Sequence, residues 1–110
     1  MDELAKKQCV PCRGGVPPLT EGEIKPLLAQ LHGWKVNAKG HLEKSYAFKN
    51  FRDGFEFIKR VGDTAEDQEH HLDIFLTWGK VTLEAWTHKI SGLTESDFIF
   101  AAKSDMLLHK

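Results

Sequence analysis

The chain has few of the features that mark secreted, membrane or nucleic-acid-binding proteins. It holds two cysteines in 110 residues, and its net charge is −1. A charge this close to zero gives no general attraction to nucleic acid or to an anionic membrane. No run approaches the ~18 consecutive apolar residues that cross a bilayer. The charged N-terminus lacks the apolar centre of a signal peptide. We therefore predict a cytoplasmic protein in which Cys9 and Cys12 are reduced thiols.

The common metal-binding motifs of histidine and cysteine are also missing. The sequence contains no HExxH, and no histidine has a partner at the spacing of a zinc finger. Cys9 and Cys12 form a single CxxC motif, which is half a zinc site at most, and no βαβ pattern surrounds it as in a thioredoxin-like protein. We predict that the protein needs no metal and that both thiols are free.

The length of the chain leaves room for one domain. Hydrophobic residues make up 41% and charged residues 28%, an ordinary globular composition. Proline and glycine are concentrated between Cys9 and Pro18, which is unfavourable for a regular element. We predict a flexible N-terminal extension with the CxxC motif over residues 1–19 and a single domain over residues 20–110.

Capping residues and apolar periodicity predict three helices in this domain. Thr20 and Glu23 form a capping box before the first helix. Asn50 caps a second helix that ends near His70. The third helix opens at Thr94, and its predicted core-facing residues are Phe98, Ala101, Ala102 and Met106.

Alternating apolar and polar residues predict two β-hairpins. The first pairs residues 34–36 with residues 42–48. The second pairs residues 74–78 with residues 81–88 through a turn at Gly79 and Lys80. The resulting order is α-β-β-α-β-β-α. It implies an α+β fold with a four-stranded antiparallel sheet and helices packed on one face.

Three of the six histidines lie close together in the sequence, at His70, His71 and His88. Imidazole takes up and releases a proton near neutral pH, so the cluster suggests acid–base chemistry on a flat, polar molecule. Simpler interpretations stay open. The pair suits the C-terminal end of a helix dipole, His88 fits a surface strand, and Asp97 fits a helix cap. If the second hairpin folds back toward the end of the second helix, His88 approaches His70 and His71, and the three histidines form a shared site.

Six residues resemble the signature of the pterin-4a-carbinolamine dehydratase family. They are Glu66, the pair His70-His71, Trp78, His88 and Asp97. The resemblance extends through residues 31–34, 48–51 and 92–97 and covers nearly everything after Thr20. The family usually has proline after the paired histidines, whereas this chain has Leu72, which leaves the turn less restricted.

This resemblance implies a hydro-lyase that acts on 4a-hydroxytetrahydropterin and forms the quinonoid dihydropterin without metal or organic cofactor. It implies that His70 and His88 are the acid–base groups and that His71 orients the pterin. It further implies that Glu66 and Asp97 tune and hold the histidines. The expected substrate contacts are Glu69, Trp86, Thr87, Lys89 and Trp34, although tryptophans more often belong to a core.

The resemblance also implies a homodimer whose sheets join edge to edge, and in some members a homotetramer. Beyond the pterin substrate, no nucleic-acid or membrane partner is expected. Two other functions stay open. One is a dimerisation or coactivator-like regulatory module, as animal relatives provide for a homeodomain transcription factor. The other is a pterin-binding protein of molybdopterin metabolism.

Overall fold

The computed structural model describes residues 2–7, 17–70, 72–87 and 90–109, with the backbone alone for residues 2, 3 and 109. Its helices are α1 (Asp2–Lys6), α2 (Glu21–Leu28), α3 (Phe51–Asp67) and α4 (Glu95–Met106), and a 3₁₀ turn, Leu107–His109, follows α4. Its strands are β1 (Lys35–Val36), β2 (Leu42–Ala47), β3 (Asp73–Thr77) and β4 (Lys80–Ala85). From residue 20 onward, the order and type of these elements confirm the predicted α+β fold.

All four strands belong to one antiparallel sheet with the order β1-β2-β4-β3. Because side chains alternate along a strand, each strand has one face toward the helices and one open face. The helix-facing residues of β4, namely Val81, Leu83 and Ala85, are fully buried. On the open face, Ser45 and Thr82 join their hydroxyls at 2.8 Å across β2 and β4.

Helix α3 packs against this sheet through a narrow apolar stripe. Asn50 caps its first turn by accepting the Asp53 N–H at 2.8 Å. Phe57, Val61 and Ala65 form the buried side. Gly54 lets the helix approach closely, since a Cβ there would lie 3.3 Å from a methyl group of Val81. The stripe holds the C-terminal end of α3 over the sheet, where His70 follows.

The structure describes part of the segment that we predicted to be a flexible extension. Residues 2–6 form α1, and Leu4 is only 2% exposed against the core. Lys103 of α4 donates to the Ala5 carbonyl at 2.7 Å. Nearer the domain, Leu19 donates its N–H to the Leu93 carbonyl at 2.9 Å. A helix of five residues is unstable alone, so tertiary contacts that the sequence does not reveal must stabilise it. The domain boundary at residue 20 stays a prediction.

Two local predictions were wrong. Met106 does not point toward the core, because it is the last residue of α4 and 51% exposed, while Leu107 and Leu108 pack on the core instead. The β3–β4 turn consists of Trp78 and Gly79, since Lys80 already pairs with Thr77. Gly79 supplies the positive φ, 76°, that such a turn requires. Among the described helices, none is both long and apolar enough to span a membrane.

Candidate active site

Helix α3 ends in a Schellman motif that turns His70 into the domain. The N–H of Glu69 donates to the Glu66 carbonyl at 3.2 Å, and the N–H of His70 donates to the Ala65 carbonyl at 3.0 Å. Glycine usually occupies the left-handed position of this motif, but Glu69 does so here with φ 52°. The reversal leaves Glu69 exposed and His70 only 8% exposed.

His70 is paired with a buried carboxylate of helix α4. Its Nε2 lies 2.7 Å from Oδ1 of Asp97, and Asp97 is fully buried. An ionised carboxylate can only accept, so the proton of this hydrogen bond belongs to Nε2. In the neutral ring, Nδ1 then carries the lone pair. The pair therefore fixes the tautomer of the neutral His70 ring.

Asp97 is held in turn by two threonines. Its Oδ2 accepts the Thr87 hydroxyl at 2.9 Å and the Thr94 N–H at 2.9 Å. The two threonine hydroxyls lie 3.0 Å apart. The same carboxylate thus caps α4, ties down the end of β4 and orients His70. These contacts connect the ends of α3 and β4 with the start of α4.

The Asp97–His70 pair lies beside a buried aromatic ring, and Thr87 next to it is hydrogen-bonded through its backbone. The Phe100 ring, itself fully buried, lies 5.7 Å from the His70 ring between centroids. Thr87 is fixed by hydrogen bonds of 2.8 Å and 3.4 Å with the backbone of Gly92. The His70 side chain retains 10% exposure.

The remaining predicted site residues lie in several places. Glu66 is on the exposed side of the last turn of α3. Trp34 is 7% exposed, and its indole N–H donates to Asp105 at 3.2 Å. Asp105 lies eight residues after Asp97 on α4, or ~12 Å along the axis. Trp34 therefore belongs to a different cluster from His70.

Several predictions fall on residues outside the described part of the chain. These residues are Cys9, Cys12, His71, His88 and Lys89. The predicted convergence of the three histidines therefore stays a prediction. Of the predicted site residues that are described, the structure brings together His70, Thr87 and Asp97.

Asp105 is a polar centre that sequence reasoning missed. Its Oδ1 accepts the Tyr46 hydroxyl at 2.6 Å and Lys44 Nζ at 2.8 Å, in addition to the Trp34 contact. Burial raises the pKa of Tyr46, and the negative charge of Asp105 raises it further, so the phenol stays a donor. The cluster anchors the C-terminal half of α4 to β2.

A second missed cluster lies beside Trp86. The His41 and Trp86 rings are parallel within 3°, with centroids 3.9 Å apart. Nδ1 of His41 makes a short hydrogen bond to the Glu84 carboxylate, which also accepts Asn37 Nδ2 at 3.1 Å. The strand register provides a signal for this contact, because Leu42 pairs with Ala85 and therefore brings His41 opposite Trp86.

Electrostatics within this cluster favour the ionised form of Glu84. Burial pushes the pKa of Glu84 upward. The hydrogen bonds from His41 and Asn37 and the charge of Lys39 outweigh burial and hold the pKa below its ordinary value. Among the described residues, no three His, Cys, Asp or Glu side chains are grouped as a metal site.

Comparisons with known proteins agree with the fold and the signature. The family model for pterin 4 alpha carbinolamine dehydratase matches residues 17–107. A protein of Rubrobacter xylanophilus with the provisional name pterin-4-alpha-carbinolamine dehydratase is 55% identical over 107 residues, which are 97% of this chain and 100% of that protein. One of Alkaliphilus metalliredigens with the same provisional name is 50% identical, over 96% of both chains.

A solved structure is similar as well. The crystal structure of a transcriptional coactivator/pterin dehydratase from Brucella melitensis matches with a TM-score of 0.77 and 32% identity. The match covers 82% of this chain and 97% of that one. On the extent of the family match and the identity to these relatives, the chain belongs to the pterin-4a-carbinolamine dehydratase family.

Proposed function

We propose that this protein removes water from 4a-hydroxytetrahydropterin to give the quinonoid dihydropterin, with His70 as an acid–base group. The observation that carries the proposal is the buried Asp97–His70 pair, with Nε2 and Oδ1 2.7 Å apart. Family membership supports the substrate class, and the names of the relatives support the reaction.

The reaction needs proton transfers and no redox step. The hydroxyl leaves C4a as water when it receives a proton, and N5 loses its proton. As the C4a–O bond breaks, the electron pair left on N5 forms the C4a–N5 double bond. A positioned imidazole accelerates such a step by roughly 10²–10⁴.

His70 can take either role because Asp97 stabilises both of its protonation states. With the Nε2 proton committed to Asp97, Nδ1 accepts a proton from N5 or, once protonated, donates one to the leaving hydroxyl. The buried carboxylate stabilises the imidazolium, because a charge-assisted hydrogen bond is stronger than a neutral one. His88 is the second acid–base candidate in this proposal, and His71 orients the pterin.

We assign the pterin contacts from the position of each side chain and from the hydrogen bonds that it makes within the protein. Glu69 is exposed directly before His70, and its carboxylate can accept the amino and N–H groups of a pterin edge. Thr87 has its hydroxyl, N–H and carbonyl engaged within the protein, so we assign it to holding Asp97. Trp86 and Lys89 remain candidate pterin contacts, and the pterin contact of Trp34 stays a prediction. Glu66 supports the turn because its carbonyl accepts the Glu69 N–H.

The proposal is tested with freshly generated 4a-hydroxytetrahydropterin. We expect wild-type protein to accelerate its dehydration, and we expect His70→Ala to lower kcat by at least tenfold while leaving residual activity, if His88 acts in parallel. The His70→Ala, His88→Ala double variant should lose nearly all activity. His32→Ala is the matched control and should retain wild-type turnover. Full turnover in the double variant would remove both histidines from the mechanism.

A regulatory module is the second candidate function. It is favoured by the name of the Brucella melitensis neighbour, which includes a transcriptional coactivator. The double variant discriminates between the two, since a dimerisation role should survive the loss of both histidines. Retained binding of a protein partner in a pulldown, by the variant that has lost catalysis, is the expected behaviour of such a module.

A further inference from the structure

The loop before α4, residues 90–94, holds the carboxylate of Asp97 through two donors. Gly92 pairs with Thr87 in an isolated antiparallel bridge, with backbone hydrogen bonds of 2.8 Å and 3.4 Å. The Thr87 hydroxyl donates to Oδ2 of Asp97 at 2.9 Å, and the Thr94 N–H donates to the same oxygen at 2.9 Å. A displacement of Gly92 would therefore move Thr87 relative to the carboxylate.

The N-terminal segment, residues 17–19, lies directly against this loop. The N–H of Leu19 donates to the Leu93 carbonyl at 2.9 Å, and Leu93 is only 3% exposed. A Cβ at Gly92 would lie 2.5 Å from Cβ of Pro18. Carbon atoms pack at about 3.5–4.0 Å, so no larger residue fits at this position while both backbones stay in place.

The backbone of Gly92 does not itself require glycine. Among the described glycines, positive φ occurs at Gly33, Gly40 and Gly79, and Gly92 is not one of them. Alanine is therefore compatible with the backbone conformation at residue 92 and incompatible only with its neighbour Pro18.

A methyl group at residue 92 has to displace either the segment or the loop. The segment is held by the Leu19–Leu93 hydrogen bond, and the Leu19 side chain packs on the core. The loop is held less firmly, because one of its two hydrogen bonds to Thr87 is 3.4 Å long and the adjacent Ser91 has an unfavourable φ of 50°. We therefore expect the loop to move.

We propose that Gly92 is a positioning residue for the Asp97–His70 pair, because its lack of a side chain lets residues 17–19 lie against the loop that ties Thr87 to Asp97. It acts through Thr87 and has no contact with the substrate in this proposal. The inference rests on the proposed function and adds what sets the geometry of the pair from outside.

The expected effect of Gly92→Ala is on turnover. It should lower kcat by roughly 10- to 10²-fold, because a shift of about 1 Å in a supporting residue can have an effect of this size. KM should change less, since the substrate contacts are untouched. Gly62→Ala is the matched control. It adds the same methyl group on α3, where no described atom beyond its chain neighbours and its own helix backbone lies within 4 Å, and kcat should stay near the wild-type value.

A rescue experiment tests whether the contact with Pro18 is the cause. Pro18→Gly removes the Cβ that a methyl group at residue 92 would meet, whereas Pro18→Ala keeps it. We expect Gly92→Ala, Pro18→Gly to recover kcat to within about twofold of Pro18→Gly alone. Gly92→Ala, Pro18→Ala should stay as impaired as Gly92→Ala. Urea unfolding establishes that each variant is folded.

A measurement without turnover accompanies the kinetics. The Nε2 proton of His70 is observed by NMR, since its hydrogen bond to Asp97 slows its exchange with solvent. In Gly92→Ala this exchange should become roughly tenfold faster, and Pro18→Gly should restore it. Amide exchange at Leu19 is recorded in parallel, because it reports whether the segment has moved.

The outcomes separate this inference from the proposed function. Unchanged kcat and unchanged His70 exchange in Gly92→Ala, with faster exchange at Leu19, would show that the segment moves and would overturn the role of Gly92. Failure of Pro18→Gly to restore either measurement would overturn it as well. If the wild-type protein does not dehydrate the substrate, the dehydratase proposal fails, and the order of His70 exchange rates still decides whether Gly92 positions the pair.

Discussion

At the residue scale, Asp97 combines a structural task with the chemical task that we propose for it. It is fully buried, it caps α4 through the Thr94 N–H, and it orients His70. Asp105, on the same helix, is also tied to three partners, the side chains of Trp34, Lys44 and Tyr46. The two aspartates therefore offer a matched comparison between holding the fold and supporting the chemistry.

We predict that Asp97→Asn lowers kcat by about 10²-fold or more, because the amide cannot stabilise the imidazolium. Asp105→Asn should instead cost about 1–3 kcal/mol of stability by weakening buried hydrogen bonds, with kcat nearly unchanged. Dehydratase kinetics and urea unfolding of both variants give the comparison. Equal losses of kcat would show that Asp97 acts only through the fold.

Glu69 occupies a left-handed backbone position that glycine adopts without strain, with φ 52°. We predict that Glu69→Gly stabilises the fold by about 0.5–1 kcal/mol, because the strain of a side chain there is relieved. The same change should raise KM by removing the carboxylate beside His70. Urea unfolding and steady-state kinetics measure the two effects. A destabilised variant, or one with unchanged KM, would contradict the inference that the Glu69 side chain lowers the stability of the fold and improves substrate binding.

The lowered pKa of Glu84 makes a prediction about acid stability. Its ionised form is favoured in the fold, so its contribution is fully present above the ordinary value of 4.5 and is lost as pH falls through the lower, folded value. We expect the stability difference between wild type and Glu84→Gln to be largest near pH 7 and to shrink below pH 4.5. Urea unfolding between pH 7 and roughly pH 3 measures it. If this difference in stability instead grew on acidification, the pKa of Glu84 would be raised by the fold and not lowered.

At the scale of elements, α1 is held by one buried side chain and by contacts with α4. Leu4 is 2% exposed, and Lys7 forms an exposed ion pair with Glu95 at 3.0 Å. We predict that Leu4→Ala costs about 2–3 kcal/mol, as a large-to-small change in a core does. Lys7→Ala should cost under about 1 kcal/mol. Equal, small losses in urea unfolding would mean that α1 does not contribute to the folded core.

The elements after residue 20 could be predicted because their signals are local. Thr20 and Asn50 mark helix starts, and the alternation of Val81, Leu83 and Ala85 marks a strand with one buried face. The features that the sequence pattern did not reveal share a different cause. Helix α1 depends on Leu4 reaching α4, and the exposure of Met106 depends on where the chain leaves the helix. Such contacts between distant residues have no signature in a local pattern.

The site was predictable only in part for the same reason. Residue patterns singled out His70 and Asp97, and the family resemblance assigned them a joint role, but 27 residues separate them. Neither periodicity nor capping indicates that the end of α3 meets the start of α4. His41 was missed because its partners, Glu84 and Trp86, follow more than 40 residues later and meet it through strand register.

At the scale of the whole molecule, β3 lies at one edge of the sheet that the described residues form, beside β4. Edge strands are templates for pairing with another chain, and Phe75 on β3 is 52% exposed. These features support the proposal of a homodimer joined at this edge.

We predict that sedimentation equilibrium gives a dimer and that Phe75→Lys shifts it toward the monomer, because a charge beside an edge opposes pairing. Ser45→Lys places the same charge on the same face of the central strand β2 and should leave the dimer intact. Dissociation by both variants would place the contact on the open face of the sheet instead of its edge.

The hydrogen bond from the His70 N–H to the Ala65 carbonyl has a further consequence. It makes the backbone of the proposed acid–base residue part of the last turn of α3. Local opening of that turn breaks the bond and withdraws His70 from Asp97 in the same event. Amide exchange at His70 therefore reports how often the site is disassembled, and a bound pterin should slow it by stabilising the closed form.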